Sequence, residues 1–407
     1  MTTKMTHDHS IANESRPARR PADASHFAHK APSVDVQPPS WIRKVLDQAD
    51  IRVQGDRPWD LQVHDPRLYG RLLRHGSVGL AEAYIDGWWS SYRIDEMVTR
   101  LLRTGVQGHM PALVRFKDAC RGLAYRLINF QSDRRAFTVG KVHYDIGNDL
   151  FRHMLDESMM YSCAYWAQAQ TLADAQRAKI DLICRKLDLR PGQTVLDIGC
   201  GWGGLAGHLA RHYRVNVVGV TVSKEQQAFA RQKLADLPVD IRLADYRSLT
   251  GRFDRVVSVG MFEHVGAKNH RTFFETVHRL LADDGLFLLH TIGDEADSAA
   301  PEPFINKYIF PNGKVPSRRE INNASLGLFR LEDWHNFGPD YDRTLMAWAE
   351  RIDAAWPELS DRYDERFQRL WMFYLYSCAA FFRSRQGQLW QQVYSLGTSD
   401  QEYRSVR

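Results

Sequence analysis

The chain has 407 residues, of which 44% are hydrophobic and 25% charged, and its formal net charge at pH 7 is +5. A chain of this length holds roughly two to three domains, and its composition is typical of a globular protein rather than a disordered one. The five cysteines are odd in number and form no Cys-x-x-Cys pair, which argues against a disulfide framework or a zinc knuckle and fits a reducing cytoplasm. The mild excess of positive charge fits an anionic partner surface, whether a membrane or a nucleic acid, but many enzymes share it.

Residues 1–39 are rich in His, Pro, Ser and Ala and have no periodic apolar pattern, which predicts a disordered tail. They contain no apolar stretch of the kind found in secretory signal peptides. No run elsewhere in the sequence approaches the length needed to cross a bilayer. We therefore expect a cytoplasmic protein.

Residues 40–105 predict a small, mainly helical domain. A helix is expected to begin at Pro66 and to end near Gly76, since proline favours the first turn and glycine the end of a helix. A second helix then leads into the sequence Asp-Gly-Trp-Trp at 86–89, and an amphipathic helix follows from Ile94.

Residues 106–137 form a connector in which basic residues such as Arg115, Lys117 and Arg121 stand among apolar ones. A basic amphipathic helix is able to lie on an anionic membrane. A helix that packs its apolar face on a neighbouring domain has the same pattern, so both interpretations stay open.

From residue 138 onward, short β-branched strands alternate with amphipathic helices, which is typical of a doubly wound α/β parallel sheet. Strands are predicted at 194–198, 215–220, 239–243, 253–259 and 284–291, and helices at 172–187, 203–212, 223–236 and 268–282. Ligands of such sheets bind at the carboxyl ends of the strands. Five polar residues fall at or just beyond predicted strand ends and are expected to line one rim: Asp197, Thr221, Asp245, Glu263 and His290.

The first of these strands ends in a glycine-rich turn, VLDIGCGWGG over residues 195–204. A strand that feeds such a turn and then a helix brings bare backbone and a helix N-terminus against a ligand. A dinucleotide site requires an acidic residue about 20 positions later, whereas the next strand here ends in Thr221-Val222-Ser223. The Asp-x-Gly-x-Gly form that begins at Asp197 instead resembles the first motif of class I methyltransferases that use S-adenosylmethionine (SAM).

Six further motifs follow one another along the chain: DGWW (86–89), HYDIGNDLF (143–151), MMYSCAYW (159–166), MFEHVG (261–266), HTIG (290–293) and YIFPNG (308–313). Together they closely resemble the cyclopropane fatty acid synthases, a family that includes the mycolic acid cyclopropane synthases. The resemblance runs from about residue 41 to the last residue. It implies a Rossmann-like class I methyltransferase domain over residues 138–407. The helical domain of residues 40–105 is similar to that of the longer bacterial enzymes that act on phospholipids, so we expect it to associate with lipid.

The resemblance also implies a reaction. Members of this family transfer the methyl group of SAM to a cis double bond in a phospholipid acyl chain, and loss of a proton from the new methyl closes a cyclopropane ring. A bound bicarbonate ion is the base in this family. The matching motifs assign its site to Cys163, Glu263, His290, Ile292 (through its backbone amide) and Tyr308.

The SAM site is assigned by the same resemblance, and no metal is expected. Two glycines approach the methionine moiety, a Tyr-Ser pair closes over it, a threonine and a glutamine meet the ribose, and the adenine lies beyond the next strand. The assigned residues are Tyr161, Ser162, Asp197, Gly199, Gly201, Thr221, Gln226, Asp245 and Tyr246. Aromatic residues near Cys378 are candidates to line an acyl tunnel, although at least half of them are expected to be ordinary core residues: Trp371, Phe373, Tyr374, Phe381 and Phe382.

The implied partner is an unsaturated phospholipid, reached by peripheral binding at the inner face of the cytoplasmic membrane. Three alternatives stay open: a sister enzyme that leaves a methyl-branched or methylene chain, a non-catalytic membrane-associated scaffold, and an N-terminal domain that serves as the interface of a homodimer. A nucleic-acid methyltransferase is not favoured, because the basic residues form no dense stripe.

Overall fold

The computed structural model of the chain describes residues 37–105, 119–125, 129, 131, 147–296, 298, 300–397 and 402–407. Its helices are α1 (Ser40–Gln48), α2 (Arg67–Ile85), α3 (Ile94–Arg103), α4 (Asn148–Met154), α5 (Leu172–Lys186), α6 (Gly204–Tyr213), α7 (Lys224–Lys233), α8 (His270–Leu280), α9 (Pro303–Tyr308), α10 (Arg318–Ser325), α11 (Pro339–Leu359) and α12 (Glu365–Arg383). Its strands are β1 (Gln62–Val63), β2 (Trp89–Ser90), β3 (Thr194–Ile198), β4 (Asn216–Thr221), β5 (Val239–Leu243), β6 (Phe253–Val259), β7 (Leu281–Asp294), β8 (Phe329–Asn336) and β9 (Gly387–Leu396).

The strands from β3 onward form one seven-stranded sheet in the order β5-β4-β3-β6-β7-β9-β8. The first five strands of that order are parallel, and β9 runs antiparallel to both of its neighbours. An α-helix follows each of β3, β4 and β6, and a short 3₁₀ turn leads from β5 to β6, so the doubly wound sheet expected from the sequence is confirmed. All five predicted strands are present, although β7 is longer at both ends than the predicted 284–291.

The N-terminal segment is helical as expected, and it packs directly on the part of the chain that carries the seven-stranded sheet. The span labelled α2 is two helices joined by a kink at Gly76, whose φ of 55° and ψ of −131° are not helical, so the expected end of the first helix near Gly76 and the second helix after it are confirmed. The rings of Tyr84 and Trp89 lie 5.6 and 6.2 Å from that of Phe373 on α12. Arg369 of α12 donates to the carbonyl oxygens of Tyr84 and Trp89 at 2.7 and 3.4 Å. The two parts of the chain therefore share one hydrophobic core.

Some expectations fall on residues outside the described ranges, namely most of the tail of residues 1–39, Arg115 and Lys117 of the connector, and residues 143–146. Residues 119–125 of the connector are helical. Further along, the Asn269 side chain donates to the carbonyl oxygen of Gln131 at 2.9 Å, which ties this part of the connector to the part of the chain that carries the seven-stranded sheet. Within the ranges given above, no helix has the length and apolar character needed to cross a bilayer.

Candidate active site

A cavity opens at the carboxyl ends of β3, β4 and β6, on both sides of the point where the strand order reverses. This is the expected position for a ligand in a sheet of this topology. All nine residues assigned to the SAM site line it: Tyr161, Ser162, Asp197, Gly199, Gly201, Thr221, Gln226, Asp245 and Tyr246. The wall also contains Gln131, Met160 and His264, which the sequence analysis did not single out.

The glycine-rich turn after β3 forms one wall of this cavity. The backbone amides of Gly199 and Cys200 both donate to the carbonyl oxygen of Val220, at 2.9 and 3.0 Å, which folds the turn onto the end of β4. Gly199 and Gly201 have φ values of 86° and 55°, a region that favours glycine. A methyl group built on Gly199 would lie 2.7 Å from Cβ of Met261, whereas one built on Gly201 would meet no atom within 4 Å. A side chain at Gly201 would therefore occupy space that a ligand could fill.

Asp197 presents an unsatisfied group to this site. Its side chain is 2% exposed, and its Oδ2 has no hydrogen-bond partner in the described part of the chain. Burial raises the pKa of Asp197 to about 7, while the ammonium group of Lys179 acts in the opposite direction. A buried carboxylate oxygen without a partner is costly, so its presence indicates a ligand that carries a hydrogen-bond donor. The amino-acid end of SAM carries such a donor in its ammonium group, so these residues fit SAM.

The other end of the cavity holds two polar pairs. Thr221 Oγ1 donates to Gln226 Oε1 at 2.8 Å, so an uncharged pair stands where a dinucleotide site would place an acid. Asp245 accepts three hydrogen bonds from Arg247: from the backbone amide at 2.9 Å, from Nε at 2.8 Å and from Nη2 at 2.6 Å. These contacts hold the turn that carries Tyr246 against the cavity.

A second group of polar residues is buried next to the cavity, and Glu263 is its centre. Glu263 lies in a short 3₁₀ turn, Phe262–His264, that follows β6. Its Oε1 accepts a hydrogen bond of 2.6 Å from the backbone amide of Ile292, and its Oε2 has no partner among the residues described. Burial raises the pKa of the Glu263 carboxyl. A buried carboxyl group with a raised pKa is suited to holding or exchanging a proton.

His290 lies two residues before Ile292 on β7, and it is a neutral hydrogen-bond donor. Its Nδ1 is 3.2 Å from the amide nitrogen of Gln391 on β9, which acts as a donor, so the ring proton is on Nε2. Nε2 is buried and lacks a partner within the ranges covered. Burial holds the pKa of His290 well below its ordinary value. The ring therefore offers one N–H group to a ligand and carries no charge at neutral pH.

Cys163 and Tyr341 complete this group. Cys163 is fully buried, and Ile292 and Tyr341 pack against its hydrophobic cluster. Burial raises the pKa of the Cys163 thiol well above its ordinary value, so the group is a neutral thiol. Burial, followed by the nearby Cys163 and Glu263, also raises the pKa of the Tyr341 hydroxyl. Four of the five residues assigned to the bicarbonate site thus lie together, and Tyr341 of α11 joins them.

Tyr308, the fifth assigned residue, is oriented elsewhere. Its hydroxyl donates to Glu82 Oε1 on α2 at 2.7 Å, and Lys307 binds the same oxygen at 2.6 Å. Tyr341, which the sequence analysis missed, is a tyrosine that lies close to both Cys163 and Glu263 in this structure. Tyr308 belongs to a recognisable motif, whereas no motif surrounds Tyr341, and only the packing of α11 brings it to the site.

Aromatic side chains enclose the space around Tyr161. The Tyr161 hydroxyl is 2.8 Å from that of Tyr374, one of the residues expected to line an acyl tunnel. The ring centroid of Tyr161 lies 5.2 Å from those of Phe151 and Trp348. The other tunnel candidates pack in the core shared with the N-terminal segment, fully buried in the case of Trp371, Phe373 and Phe382 and partly exposed in the case of Phe381.

Comparison with known proteins gives a consistent result. The family model for mycolic acid cyclopropane synthetase matches residues 131–392. The chain is 52% identical over 370 residues to the cyclopropane-fatty-acyl-phospholipid synthase of Escherichia coli strain K12, which covers 90% of this chain and 96% of that protein. It is 40% identical over 343 residues to a probable fatty acid methyltransferase of Pseudomonas putida, covering 79% of this chain and 82% of the relative.

Solved structures agree with the sequence relatives. The cyclopropane synthase MmaA2 from Mycobacterium tuberculosis superimposes with a TM-score of 0.60 at 36% identity, covering 63% of this chain and 97% of that one. The mycolic acid cyclopropane synthase CmaA1 complexed with SAH and CTAB gives a TM-score of 0.60 at 35% identity, with the same coverage of 63% and 97%. Coclaurine N-methyltransferase, at 20% identity and a TM-score of 0.64 over 78% of this chain and 99% of that one, shares the fold. The chain therefore belongs to the mycolic acid cyclopropane synthetase family and is an enzyme of the class I SAM-dependent methyltransferases.

Proposed function

We propose that the protein is a cyclopropane-fatty-acyl-phospholipid synthase, which adds a methylene bridge across a cis double bond in the acyl chains of membrane phospholipids. The observation that carries this proposal is the buried group of Glu263, Ile292, Cys163 and His290 next to the cavity. The identity of 52% over 90% of the chain with the Escherichia coli synthase supports the same substrate class.

In this proposal the cavity at the ends of β3 and β4 binds SAM. When bound, SAM supplies the methyl group that becomes the ring carbon. The unpaired Oδ2 of Asp197 would accept a hydrogen bond from the ammonium group, and the open space at Gly201 would admit the methionine moiety. Thr221 and Gln226 would meet the ribose, and Tyr246 would lie near the adenine.

Bicarbonate is the proposed base, and its site would be the group around Glu263. Nε2 of His290 is a buried N–H donor without an acceptor in the part of the chain described, which favours an anion. The backbone amide of Ile292 now donates to Glu263, so an anion would have to share this donor. The buried carboxyl of Glu263 would accept the hydrogen of the ion and tune its basicity. We assign the tyrosine ligand to Tyr341 instead of Tyr308, because Tyr341 packs with Cys163 and Ile292.

The aromatic side chains serve a second requirement of this chemistry. Methylation of an alkene leaves a positive charge on the acyl chain, and water must not reach it. Tyr161 lines the cavity, and the rings of Trp348 and Phe151 pack against it with centroids 5.2 Å away. Aromatic faces stabilise cations by about 0.5 to 2 kcal/mol each, and their bulk excludes solvent.

One alternative shares these residues. The relative from Pseudomonas putida is a probable fatty acid methyltransferase, which supports a product in which the chain is methyl-branched or carries a methylene group. The cation also loses a proton when it ends as a methylene group or as a methyl-branched alkene, so the same proton acceptor would serve these products, and the shape of the pocket would decide between them. A saturated methyl-branched chain would need a hydride donor in addition.

We also propose that the protein binds peripherally to the inner face of the membrane through its N-terminal helical segment. An acyl chain must leave the bilayer to enter a dry site. On α2, Leu73 is 41% exposed, and the guanidinium groups of Arg67 and Arg71 lie 4.6 and 3.7 Å from the ring centroid of Trp88. Arginine, tryptophan and exposed apolar side chains together are typical of segments that lie in a membrane interface. A homodimer stays a prediction, and no nucleic-acid partner is proposed.

Lipid analysis of cells that express the protein tests the function. The proposal predicts unsaturated chains that gain about 14 Da and resist mild hydrogenation, and the Glu263→Gln variant, expressed equally, should lack them. Chains that gain this mass but are still hydrogenated would identify a methylene product instead. Unchanged lipids in cells that contain folded, SAM-binding protein would refute both enzyme proposals and favour a scaffold.

A further inference from the structure

Helix α5 presents two fully buried polar side chains to the segment that carries Tyr161, Ser162 and Cys163. The amide nitrogen of Gln176 donates to the carbonyl oxygens of Met160 and Ser162, at 3.2 and 2.9 Å. One turn later, Lys179 Nζ donates to Ser162 Oγ at 2.9 Å. Both Gln176 and Lys179 are 0% exposed. Polar contacts from Gln176 and Lys179, and not apolar packing alone, therefore fix this segment on the helix.

Lys179 is unusual because it is a buried charge without an ion pair. Within the ranges that the structure covers, no carboxylate forms a salt bridge with its ammonium group, and its hydrogen-bond partner is the Ser162 hydroxyl. Lys186 on the same helix is equally buried, but it forms an ion pair in which its Nζ lies 3.0 Å from Oδ2 of Asp333. Burial of an ammonium group without an ion pair costs folding free energy, so we look for a functional role that explains this lysine.

The location of Lys179 indicates that use. Ser162 lies between Tyr161, which lines the cavity, and Cys163, which belongs to the group around Glu263. The charge of Lys179 also acts on both sites, because it lowers the pKa of Asp197 on one side and, together with Lys186, that of His290 on the other. Lys179 is thus a buried cation that acts on both the cavity and the proposed anion site, whereas Lys186 acts on His290 without acting on Asp197.

We propose that Lys179 is a positioning residue which, by holding the Ser162 hydroxyl, places Tyr161 and Cys163 and provides the positive charge between the two sites. Gln176 supports it by holding the backbone of the same segment. Lys179 itself contacts neither reactant in this proposal. The inference rests on the proposed use of the cavity by SAM.

The test compares Lys179→Met with Lys186→Met, which removes an equally buried lysine from the same helix. A hydrogen bond to a charged group typically changes an equilibrium by about 10- to 100-fold. Lys179→Met should therefore weaken SAM binding in calorimetry at least about 10-fold and raise the KM for SAM. Lys186→Met should bind SAM as the unchanged protein does. Ser162→Ala keeps the charge but breaks the contact, and it should also weaken SAM binding.

The double variant Ser162→Ala/Lys179→Met separates positioning from a general loss of stability. If Lys179 acts through Ser162, the double variant should bind SAM no more weakly than Lys179→Met alone. Additive losses, or unchanged SAM binding in Lys179→Met, would overturn the inference while the proposed function stands. If Lys179→Met does not fold, unchanged SAM binding in Ser162→Ala overturns it. Failure of the unchanged protein to bind SAM would instead refute the proposed function.

Discussion

The carboxyl group of Glu263 accepts a hydrogen bond of 2.6 Å from the backbone amide of Ile292. This bond joins the turn after β6 to the end of β7, where His290 lies two residues earlier. One carboxyl oxygen is thereby fixed, while the other is buried without a partner in the portion of the chain described. The orientation of the carboxyl group that would hold the proposed base is therefore set in part by this contact between two strand ends.

Glu263→Gln should abolish most turnover without disturbing the fold. The amide oxygen of glutamine can still accept the Ile292 hydrogen bond, but the side chain no longer holds or exchanges a proton. One group that assists proton transfer typically contributes about 10²- to 10⁴-fold to the rate, so kcat should fall by that factor. SAM affinity, measured by calorimetry, should stay within about twofold. Full activity of the variant, or full activity of the unchanged protein in bicarbonate-free buffer, would contradict the proposed base.

Tyr341→Phe and Tyr308→Phe together decide which tyrosine serves the anion site. Tyr341 packs with Cys163 and Ile292, so loss of its hydroxyl should lower kcat at least about 10-fold and raise the bicarbonate concentration needed for half-maximal rate. The hydroxyl of Tyr308 binds Glu82, so its removal should lower the melting temperature and leave the bicarbonate dependence unchanged. The opposite pattern in the bicarbonate titration would restore Tyr308 as the ligand.

The sequence did not predict those structural features in which a buried polar side chain is paired with a residue far away in the chain. The five parallel strands were predictable because each carries apolar residues in a run or at alternate positions, between segments with a helical pattern. Strand β9 was not, because its sequence contains Gln391 and its neighbour Gln392, yet every residue of the strand is buried. Gln391 meets His290 across the sheet, and Asp333 on β8 is paired with Lys186 from α5. Partners more than 100 residues apart cannot be read from a local pattern.

Gly201→Val should abolish the stabilisation that SAM confers. The valine side chain would enter the open space beside the glycine turn, where the methionine moiety is proposed to lie. Gly192→Val is the matched control, since Gly192 also has a positive φ of 87° and open space around its Cα. Both variants carry a backbone strain of about 1 to 2 kcal/mol, so both should melt earlier without ligand. In thermal melts, SAM should raise the melting temperature of the control only, and NAD should raise neither. A SAM shift that survives in Gly201→Val would place the cofactor elsewhere.

His270→Phe should make the protein more tolerant of acid. The ring of His270 stacks on Phe262 with centroids 4.4 Å apart, and burial lowers its pKa to about 3. The unfolded chain takes up this proton below a pH of about 6.5 and the folded protein does not, so folding stability is lost as the pH falls from 6.5 towards 3. At pH 5 the free energy of unfolding of the unchanged protein is lower by about 2 kcal/mol for this reason. The variant has no histidine at this position, so its free energy of unfolding should not fall in this way.

Chemical denaturation at several pH values measures this effect. The free energy of unfolding of the variant should change less steeply between pH 6.5 and pH 4 than that of the unchanged protein. Any constant cost of fitting the larger ring cancels, because only the slope is compared. His75→Phe, at an exposed position on α2, should keep the original slope. Equal slopes for His270→Phe and the unchanged protein would mean that another group controls acid stability.

Leu73→Glu should weaken binding to anionic vesicles if the N-terminal segment docks on the membrane. Leu73 is 41% exposed on α2, and Leu326, which follows α10 in the catalytic part, is 75% exposed. Insertion of one leucine contributes about 1.5 to 3 kcal/mol, and a glutamate adds repulsion from anionic headgroups. Leu73→Glu should therefore reduce flotation with such vesicles at least about 10-fold, whereas Leu326→Glu should float as the unchanged protein does.

Binding of all three proteins should fall at high salt, because the arginines of α2 contribute through screened charge. Point variants are preferable to deletion of residues 1–105, since Tyr84 and Trp89 share a core with Phe373. Equal flotation of Leu73→Glu and Leu326→Glu would assign membrane docking to another surface and leave the helical segment as a structural brace or a dimer interface.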